Sequence, residues 1–275
     1  MNIRVKKIIL ILTVAILSLP TLAQDSTAKR SKLSKKEEKR QRIAAMVKQE
    51  EEGVLSYTKQ TVFGLQLRNN GYGAWVEIGR RRTQRWTNLY TFELTEIKDR
   101  KEEKIPNVDG SSFFGTTLIF GKINNFFQGK FGYGQQYILG QKGNKNGVAV
   151  TASANAGLSL GLLKPYYKNL GGEDSAIKYE DDPGRFLQTE PGDGAAGFTK
   201  GWGDLKIRPG IFAKTALRFD FGRYNESVQV LEIGISADYY TKKIEIMAPL
   251  QGSKATDPKS LFYQVHIAFV FGSRK

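Results

Sequence analysis

From Val148 to Leu162 the chain alternates without a break. Val148, Val150, Ala152, Ala154, Ala156, Leu158, Leu160 and Leu162 share one phase, and Ala149, Thr151, Ser153, Asn155, Gly157, Ser159 and Gly161 the other. A period of two held this long predicts a strand with one apolar face and one small, polar face. Strands of globular proteins average about six residues. A strand that crosses a bilayer needs about 9–11, apolar towards lipid and polar towards the lumen.

The same dyad recurs on both sides of this stretch. Phe63, Leu65 and Leu67 oppose Gly64, Gln66 and Arg68, and Asn69-Asn70-Gly71 is a tight-turn signal. Tyr72, Ala74, Val76 and Ile78 then oppose Gly73, Trp75, Glu77 and Gly79, and Tyr90, Phe92 and Leu94 oppose Glu93 and Thr95. Leu118 to Ile123 reads as a weaker strand ended by Asn124-Asn125, and Phe127, Phe131, Tyr133, Tyr137 and Leu139 oppose Gln128, Lys130 and Gln136. After a long irregular region at 164–206, three further segments alternate around Leu217, Ile233 and Ile267. Tyr72, Tyr133, Tyr137, Tyr239 and Tyr263 fall where interfacial aromatic girdles belong. The fold class read from this pattern is all-β, an antiparallel transmembrane β-barrel of about 8–10 strands. Nine segments are counted, and single-chain bacterial barrels have even numbers. A further strand within 164–206 gives ten, and eight stays open.

The amino terminus follows a different rule. Arg4, Lys6 and Lys7 precede an apolar run from Ile8 to Leu19, and Thr21-Leu22-Ala23 ends in a small residue. This is the form of a secretory signal peptide, 1–23, with cleavage after Ala23. Residues 24–52, with Lys35 to Arg40 and Glu50 to Glu52, read as a charged periplasmic helix or linker. The barrel is expected over 53–275, in the outer membrane of a Gram-negative bacterium. Cysteine is absent, so neither disulfides nor a Cys-based site is available. The formal charge is +15. Behind a signal peptide this points to lipopolysaccharide phosphates or acidic polymers rather than nucleic acid.

Candidate chemistry is confined to the inward phase. Glu77, Glu93, Lys130, Lys214, Arg218, Asp220, Glu232 and Asp238 all lie on it, and pairing about the Gly222 turn brings Arg218 close to Glu232. Charges in a narrow lumen are costly unless paired, so a salt-bridge network is expected, with the lining of a small pore as the alternative. His266 is the single histidine, and Ser236 on the preceding strand shares its phase. A Ser–His pair of the kind used by lipid-acting hydrolases therefore stays open beside a histidine satisfied by Gln264 or a carboxylate. Glu173-Asp174 and Glu180-Asp181-Asp182 lack calcium-loop spacing, and Gly132-Tyr133-Gly134 is no nucleotide loop. No cofactor is expected.

The runs Gly121-Lys122-Ile123-Asn124-Asn125-Phe126-Phe127, Gly157-Leu158-Ser159-Leu160-Gly161-Leu162-Leu163-Lys164-Pro165-Tyr166-Tyr167 and Leu217-Arg218-Phe219-Asp220-Phe221-Gly222-Arg223 resemble a group of uncharacterised outer-membrane β-barrel proteins of the Bacteroidetes. The resemblance covers most of 53–275, implies the barrel, and brings no activity and no functional residue. One departure is Gly272-Ser273-Arg274-Lys275 after Phe271, where outer-membrane barrels commonly end in an aromatic residue. The expected role is non-catalytic: structural, binding or envelope assembly. Expected partners are outer-membrane lipid and lipopolysaccharide, the barrel-insertion machinery during assembly, and a periplasmic partner of 24–52. The alternatives are a channel for ions or apolar solutes, a hydrolase using His266, and a soluble periplasmic ligand-binding barrel.

Overall fold

The computed structural model describes residues 36–41, 43–44, 57–105, 117–144, 146–171, 176–223, 226–249 and 258–275. Two units are separate, Met1–Glu51 and Glu52–Lys275. In the first, residues 36–41 and 43–44 are helical and exposed, and the expected signal peptide lies outside the described residues.

The second unit is a closed antiparallel barrel of eight strands: β1 (Lys59–Arg68), β2 (Gly71–Arg81), β3 (Trp86–Ile97), β4 (Asn124–Gly140), β5 (Ala149–Pro165), β6 (Lys206–Asp220), β7 (Ser227–Ile244) and β8 (Lys259–Arg274). Each pairs with its sequence neighbours, and β1 closes on β8 from Gln60↔Arg274 to Arg68↔His266. The parity problem posed by nine segments is thereby removed. Leu118–Ile119 is a two-residue strand paired with Lys104–Ile105 outside the barrel, and Asn124-Asn125 opens β4 instead of ending a strand. The expected tenth strand in 164–206 is not formed. Tyr167–Asn169, Ala176–Lys178 and Gly194–Ala195 make a separate three-stranded sheet there. A short apolar segment cannot by itself distinguish a barrel strand from a loop hairpin, because only long-range pairing does; the tenth strand was required by parity alone, and losing one segment meets the parity instead.

With eight strands the connections sort themselves. Both chain ends of the barrel and the connections 82–85, 141–148 and 221–226 lie at one end. The Asn69-Asn70 turn and the long connections 98–123, 166–205 and 245–258 lie at the other. We refer to these as the terminus end and the loop end.

The alternation decides what faces where. Leu158, Leu67, Ile235, Val265 and Phe269 on the outward phase are more than half exposed, and the band they form runs round the barrel. A contiguous apolar belt of this extent is incompatible with a monomer in water. Aromatic pairs stack along it, Trp86–Tyr137 at 4.7 Å, Tyr90–Tyr133 at 5.4 Å and Phe92–Phe131 at 4.7 Å. Among the described residues no helix is long and apolar enough to cross a membrane.

The lumen is filled in three layers, as the inward phase of β7 shows: Val228 and Val230, then Glu232, Ser236 and Asp238, then Tyr240 and Ile244. The terminus-end layer packs Val62, Trp75, Val228, Val230, Ala268 and Val270. The loop-end layer packs Ile97, Phe126, Leu163, Tyr240, Ile244 and Met247. Residues 245–248 strap across that end, with Ile123 N–H donating to Ile246 O at 2.8 Å and Ala248 N–H to Gly121 O at 2.7 Å.

Leu158 stands midway along β5, 65% exposed on the outward face. If the belt is in lipid, Leu158→Arg should cost about 2–4 kcal/mol. Urea titration of the protein folded into phospholipid vesicles measures this, and a cost below about 1 kcal/mol would contradict a lipid-facing Leu158.

Candidate functional site

Every candidate charge lies where its phase places it, buried in the lumen. Glu77, Glu93, Lys130, Lys214, Arg218, Asp220, Glu232 and Asp238 are at most 4% exposed, and His266 is 1% exposed. The middle layer is organised by three glutamates. Arg218 is bidentate on Glu77, from Nη1 to Oε1 at 2.7 Å and Nη2 to Oε2 at 2.9 Å, and its Nε donates to Glu232 Oε2 at 2.7 Å. Lys214 Nζ lies 2.9 Å from Glu232 Oε1 and 3.4 Å from Glu93 Oε2. Glu93 also receives the guanidinium of Arg68, and Lys130 Nζ lies 3.6 Å away. Lys130 in turn lies 2.6 Å from Asp238 Oδ1.

The layer balances: Arg68, Lys130, Lys214 and Arg218 against Glu77, Glu93, Glu232 and Asp238. Trp75 fills the space between them, with Lys214 Nζ and the Arg218 guanidinium each 5.2 Å from its ring. Gly64 makes room for it, since a Cβ there would stand 2.3 Å from Trp75 Cε2. Asp220 belongs to a separate group at the terminus end, 2.6 Å from Arg274 Nη2 and 3.3 Å from Lys142 Nζ.

Sequence reasoning placed Arg68 on the inward phase but left it out of the network, and it missed Lys142 and Arg274. The phase of Arg68 was signal enough. Lys142 lies in a connection, where no period applies, and Arg274 follows Gly272-Ser273, where the apolar alternation has ended. That final segment is part of the wall, since Lys275 O accepts from the N–H groups of Thr58 and Lys59.

The Ser236–His266 pair is not formed. The register sets Ser236 opposite Gln264 and His266 opposite Gly234. Ser236 Oγ therefore donates to Gln264 Oε1 at 2.9 Å, and His266 Nε2 meets Glu232 Oε1 at 3.0 Å. A base that does not reach the hydroxyl cannot activate it.

A second site lies at the loop end. The short sheet, the helix α1 (Pro183–Leu187) and the strand at Leu118 share an apolar core of Leu118, Tyr166 and Phe186. Asp182 caps α1 by accepting from Arg185 N–H at 3.0 Å, Asp181 accepts from Lys178 N–H, and Glu180 pairs with Lys206. Three carboxylates weighed as a calcium cluster are thus engaged in local structure, and Glu173-Asp174 lie outside the described residues. Buried Lys168 lies 2.6 Å from Asp193 Oδ2 and donates to Gln188 O. Burial pushes the Asp193 carboxyl up. The Lys168 hydrogen bond and the N–H groups of Glu190 and Gly171 outweigh it, holding the carboxyl below its usual range.

No protein-family model matches the chain, and neither does any curated protein. Among solved structures, Neisserial surface protein A is 10% identical over 79% of this chain and 96% of that one, with a TM-score of 0.38. Ail, the attachment invasion locus protein of Yersinia pestis, is 10% identical over 80% of this chain and 100% of that one, TM-score 0.37. The N-terminal β-barrel domain of Pseudomonas aeruginosa OprF is 10% identical over 78% of this chain and 98% of that one, TM-score 0.35. At TM-scores this low the likeness carries no argument about role, and the barrel is read from the strand pairing itself.

Among the charges of the middle layer, Asp238 has Lys130 as its ion-pair partner. Lys130→Met should therefore cost about 3–5 kcal/mol in urea unfolding, and adding Asp238→Asn should restore at least half of that. An additive double variant would contradict the pairing.

The Asp193 shift has a definite sign. Because its folded pKa is depressed, its contribution is complete above the unfolded value of roughly 4 and is lost as pH falls through the folded value. In detergent micelles the amide proton shifts of Gly171 and Glu190 should hold steady down to about pH 4 and move only below it. Asp193→Asn should abolish that titration.

Proposed function

We propose that this chain is a non-catalytic integral outer-membrane protein of a Gram-negative bacterium, exported through a cleaved signal peptide and grouped with the Bacteroidetes barrels that its motifs resemble. The terminus end, with the arm at 24–52, faces the periplasm, and the loop end presents a structured head to the exterior. Its role is structural or binding, carried by the head and by contact with outer-membrane lipid. The arm serves a periplasmic partner, and the insertion machinery acts on the chain during assembly.

One observation carries this reading: the lumen is filled from end to end by packed, mutually bonded side chains. Phe126, Tyr240 and Met247 close the loop end, the electroneutral layer fills the middle, and at the terminus end Val62 and Val270 pack beside the bonded run Arg218–Gln136–Gln60–Arg274. A solute channel needs an open polar path, and such a path is stopped at the loop-end apolar layer. The head supports a binding role, because a core of Leu118, Tyr166 and Phe186 gives two long connections a fixed shape. Lumen histidine chemistry is disfavoured because Ser236 donates to Gln264 and not to His266.

Because the chain has no cysteine, single introduced thiols test orientation cleanly. Lys200→Cys in the head should react with an impermeant maleimide on intact cells, and Gln84→Cys at the terminus end only after lysis. The reverse pattern would invert the topology. In planar bilayers the purified protein should give no discrete conductance steps while still showing a heat-dependent mobility shift in SDS gels. Reproducible steps from such folded protein would favour the channel.

A further inference from the structure

The terminus-end rim is strongly basic at a single turn. Between β2 and β3 the chain reads Arg80-Arg81-Arg82-Thr83-Gln84-Arg85-Trp86. Arg81 is engaged with the carbonyls of Thr83 and Gln84. Arg80, Arg82 and Arg85 are exposed, and Arg85 Nη1 donates to the Tyr137 hydroxyl at 3.3 Å. That bond holds a guanidinium at the edge of the Trp86–Tyr137 pair.

Below the stack the outward surface changes character. The next register row runs Asn88, Gln135, Ala154, Thr215, Ile235 across five adjacent strands. Two amides therefore face the apolar belt between the aromatic rungs Trp86–Tyr137 and Tyr90–Tyr133. On the same side a trough of about 730 Å³ opens, floored by Ala152, Ala154 and Thr215 and walled by Tyr137, Leu217 and Ile233. The trough adjoins these rows sideways: Ala152, Leu217 and Ile233 continue the row of Trp86 and Tyr137, and Ala154 and Thr215 the row of Gln135. Rim cations, an amide and an apolar trough are thus side by side, as phosphate, ester carbonyls and acyl chain are in one glycerophospholipid.

We propose that this face holds one anionic glycerophospholipid in the leaflet at the terminus end. Arg82 and Arg85 take the phosphate, the Gln135 amide N–H donates to the ester region, and the trough takes one acyl chain. The assignment rests on the membrane-spanning reading above. A second copy of the chain is a poorer occupant, because two barrels inserted the same way would bring their Arg80–Arg85 turns together at one depth.

Trp86 in the wall of the trough supplies the readout. Of the three tryptophans, Trp75 is sealed in the lumen and Trp202 lies at the loop end. In a Trp202→Phe background folded into mixed vesicles, brominated phosphatidylglycerol should quench Trp86 saturably at far lower mole fraction than brominated phosphatidylcholine. Arg82→Gln with Arg85→Gln should weaken that preference about 25-fold, at roughly fivefold per guanidinium. Ala154→Phe, which fills the trough, should remove saturable quenching. The heat-dependent gel shift shows that each variant is folded. Equal quenching by the two lipids, or an unchanged preference in the double variant, overturns the proposal. If Ala154→Phe changes the oligomeric mass and leaves lipid preference intact, the trough belongs to a second copy and the proposal fails. If the unaltered protein shows no heat-dependent shift in phosphatidylcholine vesicles, the membrane reading itself fails, and this inference with it.

Discussion

A backbone N–H or C=O left without a partner in hydrocarbon costs several kcal/mol, so a sheet whose outer face is apolar needs its edges to meet. Here they meet along the whole of β1. The closure continues past the strand ends, where Lys275 O accepts from Thr58 and Lys59 and Lys275 N–H donates to Lys59 O. Once the ring is complete, the pleat leaves each side chain two destinations, outside or lumen. Everything else in the barrel is a consequence of that division.

Eight strands enclose a space just wide enough for side chains, and this chain fills it with charges between two apolar layers. Buried ion pairs are a weak source of stability against well-packed apolar residues. Their arrangement is more informative than their number. Glu93 on β3 gathers Arg68, Lys130 and Lys214 from β1, β4 and β6, while Glu232 on β7 gathers Lys214, Arg218 and His266 from β6 and β8. Each carboxylate thus ties strands that are not all neighbours. A one-residue slip would turn Arg218 and Glu232 outward, into the apolar belt. The network makes one register far cheaper than its neighbours, and its members are enclosed by packed side chains.

What was legible in the sequence was whatever obeys the period of two. The outward belt, the inward charges and the Arg218–Glu232 approach all follow from alternation and from one turn at Gly222. The strand count did not follow, because Leu118–Ile123 reads as a weaker strand and finds its partners in connections, at Lys104–Ile105 and Met247, instead of in the wall. The head was illegible for a related reason. Its order comes from Leu118 meeting Phe186 and from Lys168 meeting Asp193, contacts between segments with no common periodicity. Histidine chemistry was undecidable for want of register. Only the pairing shows that Ser236 lies beside Gln264 and His266 beside Glu232.

Positive charge serves two purposes along this barrel. At the loop end three lysines are drawn into the protein: Lys122 pairs with Glu102 at 2.9 Å, Lys168 with Asp193 at 2.6 Å, and Lys164 donates to Phe198 O with its Nζ 4.6 Å from the Phe198 ring. Lysine suits this, because its compact ammonium can be enclosed by a few carbonyls and one carboxylate. At the terminus end the charges left at the surface include Arg80, Arg82 and Arg85, whose planar guanidinia are weakly hydrated and match the oxygens of a phosphate in pairs. Those three lysines are spent in holding a head together. The three arginines stay at the surface, where they can meet headgroups beside a trough in which an acyl chain can lie.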